Sequence, residues 1–595
     1  MNLNNSKDFL VIVVIIIVIL LFCMPFMTKL NYISSNEDWG QIYSYYATVR
    51  KAILSQHQFP LRTPYFGGGY PLVANPQDGS LSPLLLFILL FGEIVGTKII
   101  CLLAYIAAAI GMYYLARREF EFNIAGALFS SLVVSLSGWL PYQLYDGNFT
   151  KIYYYFMPLL IFLFLKTNKD TRYLFFGCLL TSIILFQGGL GFVACSLFLF
   201  LFALCQTKVK RDRHILRAEV DYLKLFILLI IITLLIGAVK IFLFFQLLRD
   251  ASSTSSNYHY TELPEYFYYD LNTFFKALFQ KHYLNGGAIY LGYFPVALCV
   301  VSLLVFWRKL AKYFILLLVI IFICFASNAP IDIFRIFHHV PIFNYIAKPS
   351  KYFSFFIVFL ISLIGGHLFV WIEKLRFIKK QIKHLLMYLL LSYPVLNLFF
   401  VNIDFHQKIF NARYYFPQEN FEFCQAEIVN LENKWDAGLI QYDLVNRNIG
   451  LINWYGNVYL PENAEPKFII DLKNKEKGKL HYDWIINSSY RGELYFLSGK
   501  NKAIFKYFSP NKLVIRVELN KSDRLIINQN YHRYWTANKG RIENYKGLLS
   551  VVSLPHGVYE IELDYRPINF YLGLGVSVIS LIIFALRFFS VRRFF

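Results

Sequence analysis

The run from Phe9 to Met27 is apolar and long enough to cross a bilayer, and runs like it recur along the chain. The others are Lys98–Leu115, Ile124–Leu140, Ile152–Leu165, Tyr173–Phe186, Leu190–Leu204, Leu223–Leu247, Ile289–Trp307, Tyr313–Ala326, Tyr352–Ile372, Leu385–Val401 and Phe570–Leu586. A chain with about twelve such runs has few options in lipid, because each segment must satisfy its own backbone polar groups. It reads as a multi-pass α-helical membrane protein. Composition agrees: 57% of the 595 residues are hydrophobic, 19% aromatic and only 16% charged. The first run has neither a strongly basic leader nor a small-residue cleavage site, so it reads as a retained helix.

The formal net charge is +21, and the Lys and Arg fall mostly in short loops between apolar runs. That distribution indicates membrane orientation and argues against a nucleic-acid partner. With a cytoplasmic N-terminus, the inside loops are "ARREFEF", "KTNKDTR", "KVKRDRHILRAEVDYLK", "WRKLAKY", "EKLRFIKKQIKH" and the tail "VRRFF", all basic. The outside segments are Asn31–Gly96, Tyr142–Lys151, Gln187–Gly189, Asp250–Ala288, Ser327–Lys351 and Ile403–Asn569, which are mixed in charge. The expectation is therefore both termini inside, in a bacterial cytoplasmic membrane. "SPLLLFILLFG" (Ser82 to Gly92) is too short to span and is expected as a juxtamembrane helix on the outer face.

Three units follow: residues 1–402 as the transmembrane domain with its first outer loop at 31–96, residues 403–569 as an extracytoplasmic β-rich domain, and residues 570–595 as a last helix and basic tail. The middle unit alternates in "KLVIRVEL", "RLIIN" and "VYEIELDY", a period-two pattern that predicts antiparallel β. Of the eight Cys, only Cys424 lies clearly in a polar region, so no disulfide framework is expected.

The first outer loop carries the chemistry. It reads "EDWGQIYSYYATVRKAILSQHQFPLRTPYFGGGYPLVANPQDGSLSP". Glu37 and Asp38 open it, Arg50, Lys51 and Arg62 follow, and a Gly/Pro-rich turn suited to close backbone approach completes it. A carboxylate at a membrane surface can take a proton from an acceptor hydroxyl. Nearby cations can hold a departing phosphate by charge-assisted hydrogen bonds. Together they meet the needs of transfer from a sugar linked to a lipid phosphate. Asp146, in the short loop "YDGNF", is a second candidate acid, and Lys348 and Lys351 in "AKPSKY" are candidate phosphate ligands.

These elements, in order, resemble the YfhO-like membrane proteins of the GT-C superfamily of integral-membrane glycosyltransferases. The resemblance rests on the acid-Trp pair after the first span, "FPLRTPYFGGGYPLVANPQ", "SPLLLFILLFG", "YLGYFPVALCVVSLL" from Tyr290, "VPIFNYIAKPSKYFSFF" from Val340, and "NYHRYWTANKGRIENYKGLLSVVSLPHGVYEIELDYRP" from Asn530. It implies a GT-C helical core, a polyprenyl-phosphate-linked sugar donor, a glycan, teichoic-acid-like or lipid acceptor outside the cytoplasm, and Asp38 as the catalytic acid-base residue. Two departures stand out. Lys348 and Lys351 occupy positions where the family often has Arg, and Gln187-Gly188-Gly189 stands where a Gly-His pair is common.

Simpler readings exist for each residue. Asp38 is also suited to capping a helix that starts near Gln41, Asp146 to a turn before Gly147, Arg50 and Arg62 to headgroup contacts, and Lys348 and Lys351 to snorkelling. Glu37 would be a neighbour of the site or a metal contact. His338 and His339 are adjacent with no further ligand at metal spacing, so no metal or other cofactor is expected. The Tyr-rich stretch Asn257–Asp270 suits sugar stacking or an interfacial aromatic belt. The alternatives to an enzyme are a transporter or flippase for lipid-linked glycans and a non-catalytic assembly protein. A transporter should place ionisable residues inside its spans, and Lys240 is the main one here.

Overall fold

The computed structural model describes residues 6–212, 215–251, 253–254, 268–284, 287–340, 342–376, 378–430, 434–456, 458–472 and 482–590. Most of the Tyr-rich stretch and the basic tail lie outside these residues. Among the described residues, eight helices are long and apolar enough to cross a membrane: Lys7–Met27, Leu85–Glu119, Ile124–Tyr145, Phe149–Lys166, Trp307–Asn328, Pro349–Lys374, Lys380–Ile409 and Ile568–Phe588. The pair Tyr222–Ile236 and Ala238–Asp250, bent by 74°, forms a ninth unit. Arg172–Gln187, Leu190–Gln206 and Tyr293–Val305 are shorter apolar helices. Every apolar run of the sequence falls on one of these.

Burial sorts the helices. Pro349–Lys374 is apolar all round and buried along nearly its whole length, as a central helix must be. The first and last helices instead expose Leu10, Ile17 and Leu21, and Leu572, Ile579 and Leu586, side chains suited to contact with lipid tails. Arg118 pairs with Asp8 at 2.7 Å and Lys166 with Glu119 at 2.6 Å. These pairs gather the N-terminal end and two of the basic loops at one end of the bundle.

The other end is built around residues 31–96. Ser82–Gly92 is helical from Leu85, and the helix then breaks at Gly92, whose φ of 84° and ψ of 164° are open to glycine alone. It is thus a short helical segment jointed to the span that follows. The loop also contains a full helix, Glu37–Arg50. "YFGGGY" turns with all three glycines at positive φ, 59°, 75° and 126°. Its backbone is stitched to two sheets: the Gly67 N–H donates to Leu451 O at 2.9 Å, and the Asn530 N–H to Gly68 O at 2.7 Å. Behind it, at the bend of the broken span, Lys240 donates to the carbonyls of Val73 (2.9 Å), Asn75 (2.5 Å) and Asp78 (3.1 Å). Its interior charge therefore pins the loop.

The β-rich region departs from the antiparallel expectation in its first half. Cys424–Val429 runs parallel to both Ile449–Leu451 and Phe468–Asp471, and Trp484–Ile486 adds antiparallel to the edge. The helix Gly438–Asn446 connects the first parallel pair. In "CQAEIV" Cys424, Ala426 and Ile428 are buried while Glu427 and Val429 are half-exposed, so the strand alternates as an antiparallel one would and its pattern does not reveal the parallel pairing. The second half is antiparallel, in two four-stranded sheets ordered Leu494–Phe496, Leu525–Asn530, Leu548–Val552, Arg541–Tyr545 and Lys502–Phe508, Lys512–Leu519, Gly557–Tyr565, Trp535–Ala537. In "KLVIRVEL", Leu513, Ile515, Val517 and Leu519 all face the core, as the pattern predicts.

Candidate functional site

The stretch "NEDWGQIY" builds most of the site. Asn36 is the N-cap of the Glu37–Arg50 helix, its Oδ1 accepting the Asp38 N–H at 2.9 Å. Capping therefore falls to Asn36, and the Asp38 carboxylate is left for other partners. Glu37 turns to the β-rich domain, where its Oε2 accepts the Leu439 N–H at 2.7 Å at the start of the Gly438–Asn446 helix. A carboxylate is favoured at that end of the helix dipole. Trp39 is fully buried, and its Nε1–H donates to Leu144 O at 2.8 Å, tying this helix to the Trp139–Tyr145 helix. Gly40 meets Gly438 backbone to backbone, where a Cβ on Gly40 would lie 2.5 Å from the Gly438 carbonyl oxygen.

These anchors bring Asp38 and Asp146 together. Asp146 ends the Trp139–Tyr145 helix, and Gly147 after it has φ 83°. A Cβ on Gly147 would lie 2.5 Å from the Cβ of Asp38. Asp146 Oδ2 accepts from Asn148 Nδ2 at 2.7 Å and from Lys351 Nζ at 3.3 Å. Lys351 is available there because Pro349 starts its helix at the first turn, with Lys348 at the N-cap. Lys348 lies close enough to feel Lys351, Asp146 and Asp38.

The electrostatics are those of a crowded, half-dry site. Burial pushes the Asp38 carboxyl above the usual carboxylate range, and Asp146 pushes it further. Tyr455, whose hydroxyl donates to Asp38 Oδ1 at 2.6 Å, pulls the other way, as do Lys351 and Lys348. Burial, with Lys351, makes the Lys348 ammonium more acidic than usual, while the two aspartates oppose that shift. A base with a raised pKa is a better proton acceptor once ionised.

Of the seven residues singled out in the sequence, Asp38, Asp146, Lys348 and Lys351 converge here, and Glu37 adjoins them through its cap. Arg50 and Arg62 lie elsewhere. Arg50 pairs at 3.0 Å with Glu93, which also accepts from Tyr442 Oη at 2.9 Å. Arg62 is 2% exposed, donates to Gln529 Oε1 at 2.5 Å and lies 5.2 Å over the Trp535 ring. Burial brings its guanidinium down to about 10. In this structure both are tied to neighbours of the loop and lie apart from Asp38, Asp146, Lys348 and Lys351.

Two neighbours escape sequence reasoning. Tyr455 comes from a turn of the β-rich domain far along the chain, and nothing local marks it. Lys151 is buried with its Nζ 3.0 Å from the centre of the Tyr352 ring. Its place at the end of "YDGNFTK" looks like ordinary snorkelling. Among the described residues no group of three or more His, Cys, Asp or Glu side chains is arranged to hold a metal ion.

Fold and site together define a multi-pass helical membrane protein in which a β-rich domain completes a carboxylate–lysine cluster at one end of the helices. Neither a family model nor a curated protein matches the sequence. Among solved structures the fold is similar to the Archaeoglobus fulgidus oligosaccharyltransferase in its apo form, with 11% identity, a TM-score of 0.43, and 73% of this chain and 64% of that one covered. It is similar to the archaeal oligosaccharyltransferase AglB from the same organism in complex with an inhibitory peptide and a dolichol-phosphate (12%, 0.43, 75% and 64%). It is also similar to the arabinofuranosyltransferase AftD from Mycobacteria (10%, 0.46, 78% and 35%). The chain thus spans less than two thirds of each of these structures.

Proposed function

We propose that the protein is a membrane glycosyltransferase that moves a sugar from a polyprenyl-phosphate carrier to a cell-envelope acceptor on the extracytoplasmic side. The observation that carries this reading is the meeting of Asp38 with Asp146, Lys348 and Lys351 at the junction of membrane helices and β-rich domain. The sequence resemblance to GT-C enzymes supplies the donor class.

The mechanism is a single displacement with inversion. Asp38 Oδ takes the proton of the acceptor hydroxyl as its oxygen bonds to the anomeric carbon. The bond from that carbon to the phosphate oxygen breaks on the opposite face, and polyprenyl phosphate leaves with the bonding pair. Lys348 and Lys351 stabilise the charge that grows on the phosphate. As ammonium groups they act as point charges, without the fork of an Arg. Asp146 holds Lys351 in place. The β-rich domain borders this site and is the surface available to an incoming glycan.

Comparison of envelope glycans from a deletion strain and its complemented parent tests the reading. A polymer lacking one sugar, with accumulation of that sugar on its lipid carrier outside the cytoplasm, is the expected result. Accumulation of the carrier on the cytoplasmic leaflet would point to a flippase instead.

A further inference from the structure

Tyr455 is held more firmly than a surface turn requires. Its N–H donates to Gln441 Oε1 at 2.9 Å, and its carbonyl accepts from Gln41 Nε2 at 3.3 Å. Those two glutamines come from the two helices that cross at Gly40 and Gly438. The preceding residue, Trp454, is fully buried, stacked on Phe66 at 5.0 Å and 13°, with Tyr70 at 4.7 Å. Gly456 follows, where any Cβ would run into the Trp454 ring. The backbone of Tyr455 is thus fixed from both sides by the first loop and the β-rich domain. Its hydroxyl ends 2.6 Å from one carboxylate oxygen, Asp38 Oδ1.

We infer that Tyr455 is a positioning residue, by which the β-rich domain sets the orientation and the basicity of Asp38. The inference rests on the reading of Asp38 as the base, and it gives the domain a part in the reaction beyond any contact with acceptor. The phenol is kept protonated, since burial beside Asp38 moves its ionisation far above the usual tyrosine range. It can therefore only donate to the carboxylate. That bond fixes Oδ1 and leaves Oδ2 for the acceptor proton. It also favours the ionised form of Asp38 and offsets part of the effects of burial and of Asp146. Lys351 and Lys348 act in the same direction from the start of the Pro349–Lys374 helix.

The sign of a test follows. Tyr455→Phe removes a donor to the charged form, so the pKa of Asp38 must rise. Dicyclohexylcarbodiimide reacts with protonated carboxyl groups in apolar surroundings, and mass spectrometry of the peptide carrying Asp38 gives its titration in the purified full-length protein. Tyr455→Phe should shift the labelling midpoint to higher pH. In the deletion strain the same variant should reduce the envelope product by roughly ten- to hundredfold, because the carboxylate is no longer held in one orientation and a smaller fraction of it is ionised at neutral pH. An unmoved midpoint, whatever the product level, overturns the inference, because a purely structural tyrosine would lower the product without changing the titration. A shifted midpoint with a parental product level overturns it too. Asp38→Asn, run alongside, separates the two claims. If that variant still makes product, the base is lost and this role with it. If it is inactive while Tyr455→Phe titrates like the parent, only the tyrosine's role falls.

Discussion

The crossing at Gly40 allows a quantitative test of how the site is assembled. In a helix interior, Ala is normally better than Gly by about 1 kcal/mol, so Gly40→Ala should stabilise an isolated helix. Here the new Cβ would lie 2.5 Å from the Gly438 carbonyl oxygen, about 1 Å inside ordinary contact distance. The obstacle is backbone, which cannot rotate aside as a side chain can, so the two helices must part. Overpacking of this kind costs about 1–3 kcal/mol, enough to cancel or reverse the helical gain. Parting by about 1 Å would also take Tyr455 Oη out of hydrogen-bond range of Asp38, from its present 2.6 Å. Gly575→Ala in the last helix is the control, since a Cβ there meets nothing within 4 Å. Thermal unfolding of the detergent-purified protein should show a lower midpoint for Gly40→Ala and an equal or higher one for Gly575→Ala. A Gly40→Ala protein as stable as the control, with a parental Asp38 titration, would refute the argument that this close approach places the carboxylate.

Lys351→Ala should lower the envelope product and Lys351→Arg should preserve it, because a cation beside Asp146 is what the leaving phosphate needs; two silent changes would mean that the side chain only snorkels. Orientation is open to labelling with an impermeant thiol reagent in intact cells: Cys at Ser253 or Ser522 should react and Cys at Lys208 should not, while reaction at Lys208 alone would invert the topology.

The membrane helices were plain in the sequence because each is a long apolar run with little else in it. The bend at Gly237 was not: the run Leu223–Leu247 is long enough for one span, and although Lys240 stood out inside it, its hydrogen bonds to the loop carbonyls just past the bend come from a distant segment. The Glu37–Arg50 helix was legible only as an alternative, a helix starting near Gln41 with Asp38 as its cap; the cap is Asn36, two residues earlier, and because Trp39 to Val49 are all buried there is no polar face to mark the helix's extent. In the β-rich domain alternation marks the central parallel strand "CQAEIV" as well as the antiparallel ones, and it says nothing of the direction of the partners, which other segments set. At the site, the acids and lysines stood out as charges in otherwise apolar surroundings. Their grouping depends on contacts between distant segments, such as Trp39 with Leu144, and Tyr455 with Asp38. No local pattern encodes such contacts, and for the same reason the sequence did not show that Arg50 and Arg62 sit apart from the lysine–carboxylate cluster.

The central claim is that Asp38 is the base. Asp38→Asn keeps the size of the side chain and leaves an oxygen to accept from Tyr455, but removes the proton acceptor. A general base contributes about 10²–10⁴-fold. In the deletion strain, the variant should reach the membrane at the parental level and leave the envelope without the transferred sugar. Product within a fewfold of the parent would contradict the account.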